Sequence, residues 1–494
     1  MKLFVEGDIN LYYVQTLCLL FFPGAKFSAD EELTESSDVL SLKMVTSDAG
    51  ITAYAELTSG GRTAKKERFE PFKNGITKVR TAKIASGIAV LSAGEELFDC
   101  VPPWGIMTGV RPAKIAMPMI QSGMSATDVR EALIRDYFLK PKKAALLAGI
   151  AEREAKIVEL TPDKTCSVYI SIPFCPSRCT YCSFVSYSTK RLLSMVDDYL
   201  VKLYDDIDKV FESIKRSGLT VRTVYVGGGT PTVLKCEQIR ALLEKITSHV
   251  DPDTLAEFTY EAGRPDTVTA EKIAIIKAYG VTRVSVNPQT LNDMVLENIG
   301  RHHTVSDFYR AYETVKKVGI KHINTDLIAG LPDESFSSFS HSVDEILALR
   351  PDNVTFHTFC VKKAADILKS EAQVYSREGG EAGKSVDYSQ VKAGLAGYKP
   401  YYIYRQKNTV GNFENVGYCL EDAEGLYNIY MMEEIHSVFA AGAGAVTKLV
   451  SADRSLIKRI SMPKYPYEYL NPEFYDRVTA DRDKLIQEFA KDNF

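Results

Sequence analysis

From Thr165 to about Cys360 the chain alternates short apolar runs with amphipathic stretches of helical period. The runs are Val168 to Phe174, Thr223 to Val226, Glu257 to Glu261, Arg283 to Asn287, Ile323 to Ile328 and Val354 to Phe359. Runs this short and this apolar read as buried strands, and their alternation with helices predicts parallel strands joined by crossover helices. Six such units predict an α/β fold built on an incomplete parallel (β/α)6 barrel.

The flanking patterns differ. Residues 1 to about 75 predict a small α/β domain: a strand at Leu3 to Gly7, a helix from Ile9 to Phe22 ended by Pro23-Gly24, a strand at Val39 to Val45, and a hairpin partner at Ile51 to Leu57. Helical patterns then run to about Leu160 as a connector, residues 76–160. They are interrupted by Val101 to Pro112, which holds the single tryptophan, two glycines, three prolines and Arg111. Prolines and an apolar ring fix such a loop by packing alone, whereas the alternative gives the planar guanidinium of Arg111 a substrate carboxylate. The barrel is expected over residues 161–365. Residues 366–494 are expected to form a mostly helical domain covering the substrate, with a boundary loop at Glu371 to Ser385 and a charged helical cap from Asp453 onward. Its Tyr398 to Tyr418 segment, dense in tyrosine, base and amide, reads equally as a tyrosine-rich core segment with a polar turn or as the lining for a flat macrocycle bearing carboxylates, or a bulky anionic cofactor, with Arg405 and Lys407 as candidates for substrate carboxylates.

Composition narrows the function classes. A chain of 494 residues exceeds what one core normally serves, so two to four domains are expected. Sixty basic against 64 acidic residues leave a net charge of -4, which argues against nucleic acid as a partner. The longest apolar stretch, Ile9 to Phe22, is interrupted by Asn10, Gln15 and Thr16 and lacks the basic flank of a leader, so a membrane span and a signal peptide are not expected. Nine cysteines, an odd number and mostly isolated, suit a reducing interior, and the chain is expected in the cytoplasm as a monomer.

Polar and glycine-rich residues gather where each apolar run ends: Gly227-Gly-Gly-Thr-Pro231, Glu261, Gln289 and Asp326. In barrels of parallel strands these ends share one mouth, so separate segments should converge there. Three successive glycines exceed the needs of a turn and let a ligand approach the backbone. Just past the first run stands Cys175-Pro-Ser-Arg-Cys179-Thr-Tyr-Cys182. Three thiolates in one loop can hold three irons of a four-iron cluster and leave the fourth iron open to a small molecule. Structural zinc needs a fourth ligand, and neither a second Cys pair nor a His-x-His lies nearby to supply it.

The Cys-x-x-x-Cys-x-aromatic-Cys spacing resembles the signature of radical S-adenosylmethionine (SAM) enzymes. The preceding Tyr169-Ile-Ser-Ile-Pro-Phe-Cys175 is similar to the oxygen-independent coproporphyrinogen III dehydrogenase group, which also includes haem chaperones and radical methyltransferases. The resemblance implies that Cys175, Cys179 and Cys182 carry a [4Fe-4S] cluster and that Gly228, Gly229 and Thr230 receive the amino group of SAM. It places Tyr169 and Tyr181 beside the cofactor, gives Glu261 a cofactor contact, and implies a second SAM lined by Gln289, Arg301 and Asp326, with Val446 more distant. His302, His303, His322 and His357 read as structural or are left unassigned.

The activity implied is oxidative decarboxylation of two propionates of coproporphyrinogen III to the vinyl groups of protoporphyrinogen IX, in haem biosynthesis. A 5'-deoxyadenosyl radical would abstract the hydrogen, with electrons from a low-potential donor such as flavodoxin or ferredoxin. Two departures keep the haem chaperone and the methyltransferase open as alternatives. The best-known dehydrogenases continue their motif with Gly and a fourth Cys, whereas this chain has Cys182-Ser-Phe184, and Cys360 stands where a small residue is expected.

Overall fold

Apolar and polar side chains alternate over residues 39–59, and the chain there pairs into a sheet with one buried face. In the computed structural model, which describes residues 1–27, 37–182, 186–360, 380–406 and 409–494, four strands lie in sequence order: β1 (Lys2–Glu6), β2 (Val39–Thr46), β3 (Gly50–Ser59) and β4 (Arg62–Pro71). β1 runs parallel to β2, and β2, β3 and β4 form an antiparallel meander. Leu40, Leu42, Ala53, Ala55 and Leu57 are buried on this sheet, and the helix Lys78–Phe98 packs on β3 and β4. β4 is too rich in charge (Arg-Thr-Ala-Lys-Lys-Glu-Arg) for an apolar run to announce it; its ten-residue ladder to β3 makes it a strand.

The chain divides into two compact units: residues 1–155 with 370–384 and 403–414, and residues 156–369 with 385–402 and 415–494. In the first, the 101–112 loop is packed around Trp104, which is 1% exposed. Its Nε1–H donates to Glu414 at 2.7 Å, and Lys143 donates to the same carboxylate at 2.6 Å. Burial opposes the charge on Glu414, yet Lys143 and Trp104 together hold its carboxyl below the ordinary range.

The second unit carries a sheet of order β11-β12-β10-β9-β8-β7-β6-β5-β13-β14-β15. The central six are β5 (Thr165–Ile172), β6 (Thr220–Gly228), β7 (Glu257–Glu261), β8 (Arg283–Ser285), β9 (His322–Ala329) and β10 (Asn353–Thr358). Each is parallel to the next, as the alternating pattern predicts. The C-terminal region has the helices Gly380–Leu395, Leu426–Met432, Pro466–Leu470 and Pro472–Asn493. It also adds strands at both ends of the sheet: β11 (Lys399–Arg405), β12 (Glu414–Cys419), β13 (Ser437–Ala441), β14 (Val446–Val450) and β15 (Ile457–Ser461). β12 is antiparallel to β10, and β13 is parallel to β5. The buried His436 ties this junction, with Nε2 at 2.8 Å from Thr165 Oγ1 and Nδ1 at 3.0 Å from Ser167 Oγ; burial pushes its pKa down to about 3. No helix among the described residues is long and apolar enough to cross a membrane.

A buried ion pair fixes the end of β5. In the helix Val196–Arg216 the inward positions Tyr199, Leu203, Asp206, Ile207 and Val210 recur at helical spacing, and Asp206 is the acidic one. The helix Pro472–Asn493, capped by Asn471, buries Tyr475, Thr479, Arg482, Ile486 and Phe489. Arg482 Nη2 meets Asp206 Oδ1 at 2.8 Å with both side chains fully buried. Asp206 Oδ2 accepts Tyr469 OH (2.8 Å) and Gly442 N–H (2.9 Å), and Arg482 Nη1 donates to Ala440 O (3.1 Å). Gly442 has φ +100°, and a Cβ there would lie 2.7 Å from Ser171 O. Tyr199 OH donates to that same Ser171 carbonyl at 2.8 Å.

Removing one partner of such a pair leaves an uncompensated buried charge, a loss of about 3–5 kcal/mol. Arg482→Ala is therefore expected to destabilise the second unit by about that amount, whereas Asp206→Leu with Arg482→Met recovers most of it. Chemical denaturation followed by tyrosine fluorescence measures both; an Arg482→Ala protein as stable as the parent contradicts the role assigned to the pair.

Candidate active site

Side chains of successive residues point to opposite faces of a strand, and the parallel register lines up one polar, partly accessible face across the sheet. Tyr169 lies opposite Tyr225, Tyr225 opposite Thr259, Glu261 opposite Ser285, Ser285 opposite Asn324, and Asp326 opposite Thr355. Between them Val168, Ile170, Val224, Val226, Phe258, Val284, Ile323 and Val354 are buried on the other face. The polar face rises toward the C-terminal ends of the strands, where the cysteine loop begins.

The loop is held by its main chain. Cys175 N–H donates to Tyr187 O (3.0 Å), Tyr187 N–H to Pro173 O (2.8 Å), and Thr180 N–H to Ile299 O (3.0 Å). Ser177 Oγ donates to Gly300 O and accepts from Arg264 Nη1 at 2.9 Å. Cys175 and Cys179 are buried and Cys182 is half-buried. Cys175 Sγ lies 3.3 Å from Thr230 Oγ1, and Arg301 Nη1 approaches Cys179 Sγ at 3.8 Å. Burial pushes the Cys175 thiol up to about 11; the Thr230 hydroxyl and Arg264 work against this, and the neighbouring Cys182 and Cys179 work with it. Bare thiolates are disfavoured there, whereas a metal's positive charge holds coordinating thiols deprotonated. Among the described residues no three His, Cys, Asp or Glu side chains converge on a single ion. A four-iron cluster takes its thiolates one per iron, so its sulfurs need not meet at a point.

The glycines have a more specific task than a turn. Gly229 N–H donates to Ile172 O (2.8 Å) and Thr230 N–H to Phe174 O (2.7 Å), so the residues after β6 ride on the strand that delivers the cysteines. A Cβ on Gly229 would lie 2.5 Å from Phe174 O, and Gly228 has φ +112° with its Cβ position 3.0 Å from Ile172 O. Gly227 makes room for Glu261, whose Cδ would lie 3.0 Å from an added Cβ.

At the ends of β8 and β9, Gln289 is 9% exposed with φ +72°, and its Oε1 has no hydrogen-bond partner among the described residues; neither has Asn287 Oδ1. Two amide carbonyls left without donors fit a ligand that brings N–H or O–H groups. Asp326 Oδ1 accepts from Asn324 Nδ2 (2.9 Å), and Oδ2 lies 3.5 Å from His357 Nε2. Glu261 keeps part of its surface accessible, yet desolvation raises its pKa to about 7, with Asp326 adding to the rise and Tyr225 and the Gly228 N–H opposing it. Arg301 is 5% exposed; Nη2 donates to Gly263 O (2.7 Å) and Asn287 O (2.6 Å), and Nη1 faces Tyr181 OH at 3.4 Å.

The second unit thus gathers the cysteines, Tyr169, Tyr181, Gly228, Gly229, Thr230, Glu261, Gln289, Arg301 and Asp326 around the upper ends of β5 to β9. Val446 is 40% exposed at the start of β14, two strands away from β5. Arg111 and Arg405 belong to the first unit. Arg111 is half-buried. Arg405, proposed from sequence for a substrate carboxylate, is 6% exposed, lies over the Trp104 ring at 5.3 Å and donates to Met107 O and Asn412 O. Its guanidinium serves main-chain carbonyls of its own unit. Lys407 lies outside the described residues.

Five contributors escaped the sequence reading. Tyr225 stacks on Tyr169 (6.0 Å between centroids) and donates to Glu261 Oε1 at 2.5 Å. Tyr427 stacks on Tyr225 at 4.5 Å. Below them Glu257 accepts from Leu426 N–H (2.8 Å) and Tyr427 N–H (3.2 Å), Arg283 donates to Glu424 O (2.9 Å), and Asn353 to Ala423 O (2.6 Å). Residues at the first positions of β7, β8 and β10 thereby hold residues 423–427 against the lower end of the strands.

A parallel sheet with a three-cysteine loop after its first strand and a polar mouth defines a radical SAM protein, and residues 169–346 match the radical SAM superfamily. Over 508 aligned residues the chain is 34% identical to the oxygen-independent coproporphyrinogen-III oxidase-like protein HemZ of Bacillus subtilis, spanning 99% of this chain and 98% of that protein. The chain belongs to this oxygen-independent coproporphyrinogen-III oxidase-like family, which implies a [4Fe-4S] cluster and SAM. The heme chaperone HemW of Bacillus subtilis is 36% identical over 198 residues, 40% of this chain and 51% of that protein. Among solved structures the coproporphyrinogen III oxidase HemN of Escherichia coli shares the fold, with TM-score 0.51, 18% identity and coverage of 68% and 77% of the two chains.

Because Gly229 has no room for a side chain, Gly229→Ala is expected to push Phe174, and the cysteine loop with it, away from β6. Iron bound after anaerobic reconstitution should fall several-fold; full loading of the variant would show that the loop does not depend on this contact.

Proposed function

We propose that the chain catalyses the oxygen-independent oxidative decarboxylation of coproporphyrinogen III to protoporphyrinogen IX, using a cluster on Cys175, Cys179 and Cys182. The observation that carries the reading is the polar face running from the three thiols down β5 to β9, in a chain alignable over its whole length with an oxidase-like relative. Held on Cys175, Cys179 and Cys182, the cluster with SAM would supply a 5'-deoxyadenosyl radical able to take a propionate β-hydrogen; loss of carbon dioxide, with one electron passing to an external one-electron acceptor, would then give each vinyl group.

The chain's own residues bind and orient. Gly228, Gly229 and Thr230 offer main-chain and hydroxyl groups to the amino end of SAM, and Glu261 offers a carboxylate oxygen to its hydroxyl or amino groups. Gln289 and Asp326 are assigned to a second SAM, with Asn287 added because its carbonyl has no partner among the described residues. Arg301 holds the Gly263 and Asn287 carbonyls and thereby fixes the loop ends around that site. Positioning of this kind, together with exclusion of water, is the protein's share in radical chemistry. A low-potential one-electron carrier such as flavodoxin or ferredoxin is the proposed reductant.

One observation favours a second reading, a haem chaperone: stretches of 196 to 281 residues align with several HemW proteins at 30–36% identity. Anaerobic incubation of the reconstituted protein with reductant, SAM and coproporphyrinogen III separates the two. Loss of two carboxyl groups per tetrapyrrole, detected by mass, with formation of 5'-deoxyadenosine, is the expected result. SAM cleavage with an unchanged tetrapyrrole, and haem passed stoichiometrically to an acceptor, would replace the oxidase reading with the chaperone one. Cys179→Ala should abolish 5'-deoxyadenosine formation under either reading.

A further inference from the structure

Three tyrosines stack inside the barrel directly beneath the glycine turn. The Tyr225 ring lies 4.5 Å from that of Tyr427 at an interplanar angle of 28°, and 6.0 Å from that of Tyr169 at 22°. Only Tyr225 reaches the carboxylate above, donating to Glu261 Oε1 at 2.5 Å. The other oxygen, Oε2, lies on the side of Gly227, 3.1 Å from where a Cβ would be. The strand thus fills one lobe of the carboxylate with a phenol and clears the side of the other by using glycine.

The ring of Tyr225 is itself held. Tyr427 presses on it, and the main chain of Tyr427 is fixed by Glu257, which pairs with Arg283 at 3.4 Å. The strut therefore runs from the lower barrel through Tyr427 and Tyr225 to Glu261. Ring stacking of this kind restricts where the hydroxyl can point.

The groups facing Glu261 are few. From β5 comes the Tyr169 phenol, and from β6 the Tyr225 phenol and the Gly228 N–H. The Tyr427 phenol comes from the helix Leu426–Met432, and from β9 comes Asp326, with His357 of β10 behind it at 3.5 Å. Glu257 lies lower on its own strand. Desolvation and Asp326 disfavour the charged form; the Tyr225 hydroxyl and the Gly228 N–H favour it.

We propose that Tyr225 is a positioning residue for Glu261, with Tyr427 as the strut that holds its ring. The phenol occupies one carboxylate oxygen and keeps the charge in place, so that the other is presented to an amino or hydroxyl donor of SAM. This rests on the reading above that Glu261 contacts the cofactor. The sign follows from the balance of groups. The Glu261 pKa is raised to about 7, so the charged acceptor is present above that pH and lost below it. Removing the Tyr225 hydroxyl removes a stabiliser of the charged form and moves the midpoint further up.

The test uses cluster-reconstituted protein, with Tyr225→Phe, Tyr427→Leu and Glu261→Gln beside the parent. The Glu261 carboxyl is titrated without SAM by difference infrared spectroscopy, its band assigned by loss in Glu261→Gln, and SAM affinity is measured by equilibrium dialysis from pH 5.5 to 9. Tyr225→Phe keeps the ring and its stack. It is expected to raise the carboxyl midpoint by about one pH unit and to weaken SAM binding at pH 7 by about five- to tenfold, the two proteins converging at pH 9. Tyr427→Leu should move the midpoint in the same direction by less. An unchanged infrared midpoint in Tyr225→Phe overturns the proposal. If Glu261→Gln binds SAM as tightly as the parent at every pH, the assignment of Glu261 to the cofactor falls, and the proposal with it. The infrared midpoint tells the two failures apart.

Discussion

Two main-chain hydrogen bonds, from Gly229 N–H to Ile172 O and from Thr230 N–H to Phe174 O, are the constraint on which the site depends. They continue the β5–β6 ladder past the point where β5 ends, and they exist because Gly229 has no Cβ to keep the two chains apart. The first cysteine follows Phe174 directly, so its position is set by backbone contact rather than by side-chain packing. Thr230 adds its hydroxyl 3.3 Å from the Cys175 sulfur. The glycine triplet and the cysteine loop are thus one structural device in two pieces of sequence.

The other side of β5 is secured by the C-terminal part of the chain. β13 completes the parallel pairing of β5, so that strand has neighbours on both edges and no unpaired donors to expose. Gly442, Tyr199 and Ser171 meet at the end of β13, and the Asp206–Arg482 pair holds that junction from within. A fully buried ion pair is a poor source of net stability. Here its geometry is set by hydrogen bonds on both partners, and it locates two helices and one strand end at a single point. The same region supplies Tyr427 to the barrel interior, so residues distant in sequence complete the surroundings of Glu261.

Much of this was legible in the sequence. The alternation of apolar runs with helical stretches gave the parallel order of β5 to β10, because period and length distinguish a buried strand from a helix. The Cys-x-x-x-Cys-x-Tyr-Cys spacing and the polar residues after each run marked the mouth, because strand ends in a parallel sheet must share one side. The strands β13 to β15 and β4 were not visible. Ser-Val-Phe-Ala-Ala reads equally well as a helix, and a charged strand like β4 declares itself only when paired.

The amino-acid sequence by itself determined the class of fold, the family and the cysteine loop, since those rest on local period and spacing that no distant contact alters. Tertiary structure alone decided the partners. It showed that Arg405 lies over Trp104 within its own unit instead of facing outward, since a guanidinium's role depends on which carbonyls surround it. It also showed that Tyr225 meets Glu261, that Tyr427 arrives from the C-terminal region, and that Gln289 and Asn287 keep carbonyls without donors among the described residues. Those facts follow from strand register and long-range packing, which place residues side by side according to pairing rather than to their distance along the chain.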